Sequence, residues 1–230
     1  LEVVLLSYTS DAEKLCAACM RSTRTKEPAH ELMNKLWRIE CQFATRHGWK
    51  LDRQFCEKCD YKKWCVPKML IQAKQRGHWG VFEHANYTFS VSGISRSCTH
   101  QLVRHRMASY LQQSLRAVVP TKWKLPQSMT SRKLGSEKYN HVVATVDHLF
   151  ELYRELVDMG VPEEDARFIL PIGTKTHIVV KMNARSLLHF FKLRLSKHAQ
   201  WEIREMAQKM LEELNKVSPL IFEGAGELNV

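Results

Sequence analysis

Apolar and polar residues alternate most strictly over residues 85–92. Ala85, Tyr87, Phe89 and Val91 fall on one face, and Asn86, Thr88, Ser90 and Ser92 on the other. A period of two predicts a strand with one buried face, and Gly93 is expected to end it. Residues 1–8 (LEVVLLSY) are rich in Val and Leu without clean alternation and read as a buried strand. Residues 176–182 (THIVVKM) read as another. Elsewhere the period is helical. Residues 10–47 look mostly helical, with Ser10 or Asp11 placed to cap the start. From residue 94 to about residue 106, Ile94, Cys98, Leu102 and Val103 lie on or near one helical face. Val142, Val146, Leu149, Tyr153 and Leu156 recur at helical steps, and Gly160 and Pro162 end that helix. Asn183 can cap a helix running to about Arg194. Ser196 can cap the next, whose stripe is Ala199, Ile203, Met206, Met210 and Leu214. Residues 120–136, with Pro120, Pro126 and Gly135, read as a long loop. Strands and helices mix without regular strand–helix–strand alternation, so the class is α+β.

Composition narrows the picture. The chain has 230 residues, 44% hydrophobic and 26% charged, as in an ordinary globular protein. No apolar run reaches the roughly 18 residues of a membrane span. The first residues lack a basic region and a small-residue cleavage site, so they do not read as a signal peptide; a soluble cytoplasmic protein is expected. Lys and Arg number 35 against 24 Asp and Glu, a net charge of +11 that attracts anions such as nucleotides, anionic cofactors or nucleic acid.

Seven cysteines, an odd count, argue against a disulfide framework. Residues 41–68 form a Cys-rich insertion without a clean period. Cys56-x-x-Cys59 and Cys65 offer three thiolates, and Cys41 completes a set suited to zinc or an iron–sulfur cluster. Cys16 or Cys19, one helical turn apart, are alternative fourth ligands. Lys62, Lys63 and Trp64 could contact nucleic acid by charge and stacking.

The densest polar constellation spans residues 101–116, QLVRHRMASYLQQSLR. Arg104, His105 and Arg106 project about 100° apart on a helix, so they can serve different ligands. Arginine suits phosphate because its planar fork donates two parallel hydrogen bonds. Ser114 and Arg116, two apart, can be aimed by a loop at one small ligand. The bland alternative is a solvated basic helix end.

Arg104-His105-Arg106, Ser109, Ser114 and Arg116 resemble the signature R-H-R-x-x-S-x-N/S-x-x-S-x-R of the flavin-dependent thymidylate synthases. Gly77-His78 with Glu83-His84 is similar to that family's G-H-x-x-x-x-E-H, and GISRSCTHQLV continues the match. Downstream, Ala166-Arg167, Leu170-Pro171, Asn183-Ala184-Arg185-Ser186, Leu193-Arg194 and HAQWEI follow in the family's order. The likeness covers about residues 77–119 and 140–223.

The resemblance implies an α+β fold, a mixed sheet flanked by helices, in a single domain over residues 1–230. It implies a homotetramer with shared active sites and an FAD enzyme that methylates carbon 5 of dUMP to give dTMP. Methylenetetrahydrofolate would donate the carbon and NADPH the reducing power. No cysteine attacks uracil in this family, so Cys98 reads as a small buried residue. His78, Arg104, His105, Arg106, Asn183, Arg185 and His189 would contact FAD. Gln101, Arg104, Gln112, Ser114, Arg116, Arg167 and Arg194 would bind dUMP. The catalytic roles would fall to Arg194, beside the uracil, and Ser114. A guanidinium at the ring can stabilise negative charge there.

The chain departs from the family pattern at Gly80, Leu111, Leu115, Ala117 and His189, where the family more often has Ser or Thr, Asn or Ser, Gln or Gly, Tyr, and Asn. Two alternatives therefore stand beside dUMP methylation: a C5-methylase of UMP or RNA uracil, and an inactive paralogue that binds nucleic acid through the Cys-rich insertion.

Overall fold

Ala85, Tyr87, Phe89 and Val91 are all fully buried, as their alternation requires. The last three lie in strand β2 (Asn86–Ser95), which continues through Gly93 rather than ending there. Gly93 has φ +69°, a left-handed conformation open to glycine, so the strand turns locally without stopping.

The computed structural model describes residues 1–36 and 66–227. The other strands are β1 (Glu2–Tyr8), β3 (Ser109–Gln112) and β4 (Lys175–Asn183), ordered β1-β2-β4-β3. Hydrogen bonds at opposite ends give the directions. Thr9 N–H reaches Asn86 O while Ser92 Oγ meets Glu2, so β1 and β2 are antiparallel. Ala184 N–H to Ala85 O and Arg96 N–H to Thr174 O make β2 and β4 antiparallel too. Gln113 N–H to His177 O and Ser186 Oγ to Met107 O do the same for β3 and β4. Helices α1 (Ala12–Ser22), α2 (Ala29–Leu36), α3 (Val66–Gln75), α4 (Arg96–Leu102), α5 (Ser131–Leu134), α6 (Ser136–Asp158), α7 (Glu163–Ala166), α8 (Ala184–Arg194), α9 (Trp201–Val217) and α10 (Pro219–Phe222) complete the α+β arrangement.

The chain groups into two compact units. One comprises Leu1–Glu2, Ser90–Arg106 and Tyr110–Val180; the other comprises Val3–Phe89, Met107–Ser109 and Lys181–Val230. β2 and β4 each run from one unit into the other.

In the first unit, Ile94, Cys98, Leu102, Phe150, Tyr153, Ile178 and Val180 form the core. The loop after β3 is pinned where Trp123 bridges to Thr174 and its indole N–H donates to Asp147 Oδ1 at 2.8 Å. Of the apolar stripe expected on α6 only Tyr153 is buried, and Phe150 is the second anchor.

In the second unit, Tyr87, Phe191 and Phe222 pack edge to face, with centroids 5.3 and 6.0 Å apart. Tyr87 Oη donates to Ser218 Oγ at 2.8 Å within that core. Two long side chains hold α10: Lys74 Nζ donates to Leu220 O at 2.9 Å, and Glu13 Oε1 accepts from Leu220 N–H at 2.6 Å.

Other expectations change, and residues 120–136 are not all loop, since they hold α5. β1 is not buried: it lies at the sheet edge, and Val4, Leu6 and Tyr8 are exposed. Asp11 occupies the N-cap of α1 in a left-handed conformation, but its side chain caps nothing. Ser196 does not cap α9; Gln200 does, its Oε1 accepting from Glu202 and Ile203 N–H. Among the described residues no helix is long and apolar enough to cross a membrane.

Candidate active site

Helix α4 carries the first unit's site. Ser95 caps it by accepting from Cys98 N–H at 3.1 Å. Cys98 and Leu102 face the core, while Arg96 and His100, one turn apart, line a cavity of about 300 Å³. Cys98 is buried, in keeping with a packing role. Gln101 is half-buried on the same helix.

Beyond α4 the signature residues form a turn, not more helix. His105 N–H donates to Leu102 O at 3.0 Å. Tyr110 Oη lies 2.9 Å from Leu102 O and 2.7 Å from His105 O, so one hydroxyl closes the turn. His105 is buried, while Arg104 and Arg106 stay exposed. β3 follows, a strand the sequence pattern did not announce. Its Gln112 Nε2 donates to Thr99 Oγ1 at 3.0 Å and ties β3 to α4. Ser114 Oγ accepts from Arg116 N–H at 3.1 Å, a local turn that fixes the spacing between the two.

Arg116 and Arg167 meet at one residue. The Arg116 guanidinium pairs with the Glu164 carboxylate at 3.6 Å, and Arg167 Nε donates to Glu164 O at 3.0 Å. Arg167 also lines the cavity with Arg96, His100 and Leu115, and no Asp or Glu is among its lining residues. Arg96 donates to Gln113 O at 2.6 Å. Burial, and then the charge of Arg167, hold its guanidinium below the ordinary arginine value. Sequence reasoning singled out Arg167 and missed Arg96 and His100. Both stand in the matched SRSCTHQ segment, and their four-residue spacing on a helix was the available signal.

The second unit gathers the other residues at α8. Asn183 Oδ1 caps it, accepting from Ser186 N–H at 2.8 Å, as its position in the sequence predicts. Arg185 pairs with Glu83, which belongs to the short 3-10 turn Trp79–His84 that His78 opens. His189, exposed, sits one turn beyond Arg185 on the same face. Ser186 Oγ donates to Met107 O at 2.6 Å and holds the middle of the signature segment to this helix. Arg194 ends α8, half-buried, where the helix dipole favours a cation.

Several departures from the family pattern have definite places. Leu115 lines the cavity, while Leu111 is 78% exposed on β3 and Ala117 is exposed. At Gly80 an added Cβ would meet open space.

Cys41, Cys56, Cys59 and Cys65 lie outside the described residues. Among the described residues, no three His, Cys, Asp or Glu side chains are grouped to hold a metal ion. Cys16 is buried, and burial first, then the neighbouring Cys19, push its thiol up to about 12.

Comparison with known proteins gives a consistent picture. The family model described as thymidylate synthase complementing protein matches residues 4–220. A flavin-dependent thymidylate synthase of Sulfurisphaera tokodaii is 39% identical over 226 residues, covering 98% of this chain and 78% of that protein. One from Saccharolobus solfataricus is 40% identical over 227 residues, covering 98% and 77%. One from Geobacter sulfurreducens is 49% identical over 162 residues, covering 70% of each.

Proposed function

The chain belongs to the thymidylate synthase complementing protein family, and on that premise we propose that it is a flavin-dependent thymidylate synthase, converting dUMP to dTMP. Methylenetetrahydrofolate is the carbon donor and NADPH the reductant in this reading. Its relatives carry the flavin-dependent activity in their names. The reading extends to a single-domain subunit, a homotetramer and a cytoplasmic location. The observation that carries the substrate assignment is the cavity beside Arg167. Its charged lining is cationic, with no carboxylate, which is the environment a phosphate monoester needs.

The residues fit an anionic flavin cofactor. Arg104 and Arg106 are exposed guanidinium groups on a turn that Tyr110 rigidifies. Asn183 spends its carbonyl oxygen on the helix cap and keeps its amide N–H groups to donate. Arg185 and His189 share one face of α8. His105, being buried, supports the turn. FAD, when bound, supplies the means of passing a hydride from NADPH to the one-carbon unit.

Replacing the hydrogen at carbon 5 of uracil with a methyl group requires that the carbon 5 proton leave. Arg194 stabilises the negative charge that spreads onto the ring oxygen and nitrogen as carbon 5 becomes nucleophilic. Gln101 and Gln112 supply amide groups for the base, and Ser114, Arg116 and Arg167 hold the sugar phosphate. Fixing the nucleotide in this way lowers the entropic part of the barrier.

The test is release of tritium from dUMP labelled at carbon 5, with FAD, NADPH and methylenetetrahydrofolate present and UMP as the control nucleotide. Release that depends on all three, with dTMP formed, supports the reading. A protein that takes up no flavin and releases no tritium refutes it. Zinc or an iron–sulfur cluster at Cys41, Cys56, Cys59 and Cys65 is a separate proposal resting on thiolate spacing. Metal analysis should find an ion that Cys56→Ser with Cys59→Ser releases.

A further inference from the structure

We propose that Arg96 is a direct phosphate ligand of this cavity, forming with Arg167 a two-guanidinium clamp; the inference rests on the nucleotide reading above and extends it to a residue that reading did not include. The geometry supplies the argument. Arg96 and Arg167 line the same space of about 300 Å³. They are close enough that the Arg167 charge acts on the Arg96 guanidinium. Two like charges set side by side, with no acid lining the space, raise the energy of the empty cavity, and a dianion between them reverses that.

The hydrogen-bond inventory of Arg96 points the same way. A guanidinium has five N–H donors. One terminal nitrogen is directed at Gln113 O at 2.6 Å. Nε is buried and has no hydrogen-bond partner among the described residues. Because Nε has no exposed surface, an anion in the cavity would meet the terminal nitrogens, and a phosphate suits that planar fork of donors.

The bond to Gln113 also has a role. Gln113 lies between Gln112 and Ser114, two of the residues assigned to the nucleotide. Arg96 thus fixes the backbone at the site with one terminal nitrogen and keeps the other for the anion.

The test compares three probes on wild type and Arg96→Gln, each loaded with FAD where it takes up flavin: dUMP, deoxyuridine and inorganic phosphate. A phosphate ligand predicts that Arg96→Gln weakens dUMP about 10- to 100-fold. Deoxyuridine, which lacks the phosphate, should bind both proteins alike. Inorganic phosphate should compete against dUMP on wild type and far more weakly on the variant.

If dUMP binds both proteins equally, the proposal fails while the synthase reading stands. If dUMP and deoxyuridine weaken together, Arg96 is only a scaffold for the 113 segment, and the proposal again fails. If the protein proves not to be a synthase, inorganic phosphate that raises the melting temperature of wild type but not of the variant still supports the clamp; an equal shift in both overturns it. Should Arg96→Gln not fold, Arg96→Lys keeps a charge and a donor for Gln113 but loses the fork. It should then lose at least about 5-fold for dUMP and nothing for deoxyuridine; dUMP affinity equal to wild type overturns the proposal.

Discussion

Two tyrosines, each buried, should respond in opposite ways when their hydroxyl groups are removed. Tyr87 is fully buried and donates to Ser218 Oγ at 2.8 Å, and Ser218 is fully buried as well. Tyr87→Phe keeps the ring and its edge-to-face contact with Phe222. It removes one hydrogen bond and leaves the Ser218 hydroxyl without that partner. The cost of a polar group stranded in this way is about 1–3 kcal/mol. Tyr153 is 1% exposed, and its Oη has no hydrogen-bond partner among the described residues. Tyr153→Phe removes a desolvated hydroxyl that makes no compensating bond, so it should be neutral or stabilising, by up to about 1–3 kcal/mol. In a chain of this length each kcal/mol moves the melting temperature about 2–4 °C. The assay is thermal unfolding of both variants at one protein concentration. Adding Ser218→Ala to Tyr87→Phe should recover part of the loss, because both ends of the broken bond are then apolar. Equal destabilisation by Tyr87→Phe and Tyr153→Phe, or no recovery in the double variant, would refute the reasoning.

Other substitutions probe chemistry. Arg194→Ala should abolish turnover while most FAD stays bound, measured as tritium release against flavin absorbance; unchanged turnover removes Arg194 from its role. Burial holds the Glu13 carboxyl above its ordinary value, despite the backbone bonds from Leu220 and Ile221 and the charge of Lys74. The folded chain therefore binds that proton more tightly, and stability from this group falls as pH rises out of the ordinary carboxylate range through the raised value. Glu13→Gln keeps an acceptor for Leu220 N–H, so urea titrations should show the variant gaining on wild type across that window; parallel curves would contradict the shift. Cys19, the less buried of the pair on α1, should be alkylated at mildly alkaline pH before Cys16, whose thiol is pushed up to about 12. Peptide mapping reads the order, and equal labelling of the folded protein would contradict it.

Much of the local structure was legible in the residues. The alternation at Ala85–Tyr87–Phe89–Val91 placed four side chains in the core, and Asn183 announced its own helix. What failed depended on pairing far along the chain or on local conformations that residue type alone does not fix. β1 is apolar enough to look buried, but its place at the sheet edge is fixed by pairing with β2, more than seventy residues on. Gly93 reads as a stop only if glycine is taken as a breaker; in the strand its left-handed φ lets pairing continue. Ser196 is a better cap by residue type than Gln200, yet its hydroxyl is engaged with His198 N–H in a local turn, and the longer amide reaches the helix instead.

The candidate site divides along the same line. The signature residues were recognisable as a string. That Tyr110 would bond the His105 carbonyl, and that Arg96 and Arg167 would border one cavity, follows from the turn after α4 and from the segment around residue 167.

Glu164 gives the site a property of its own. Its carboxylate already faces Arg116, while its carbonyl steadies Arg167. On the proposed reading, a phosphate reaching Arg116 would not simply add to it; it would take the place of an anion carried by the chain itself. Binding would then be a swap of counter-ions, with a net change in pairing smaller than the number of arginines suggests. Affinity should then decline less steeply with added salt than that number implies. A ligand carrying a single weak charge would gain little from that exchange, so on this reading the resident carboxylate would favour a dianion over weaker callers.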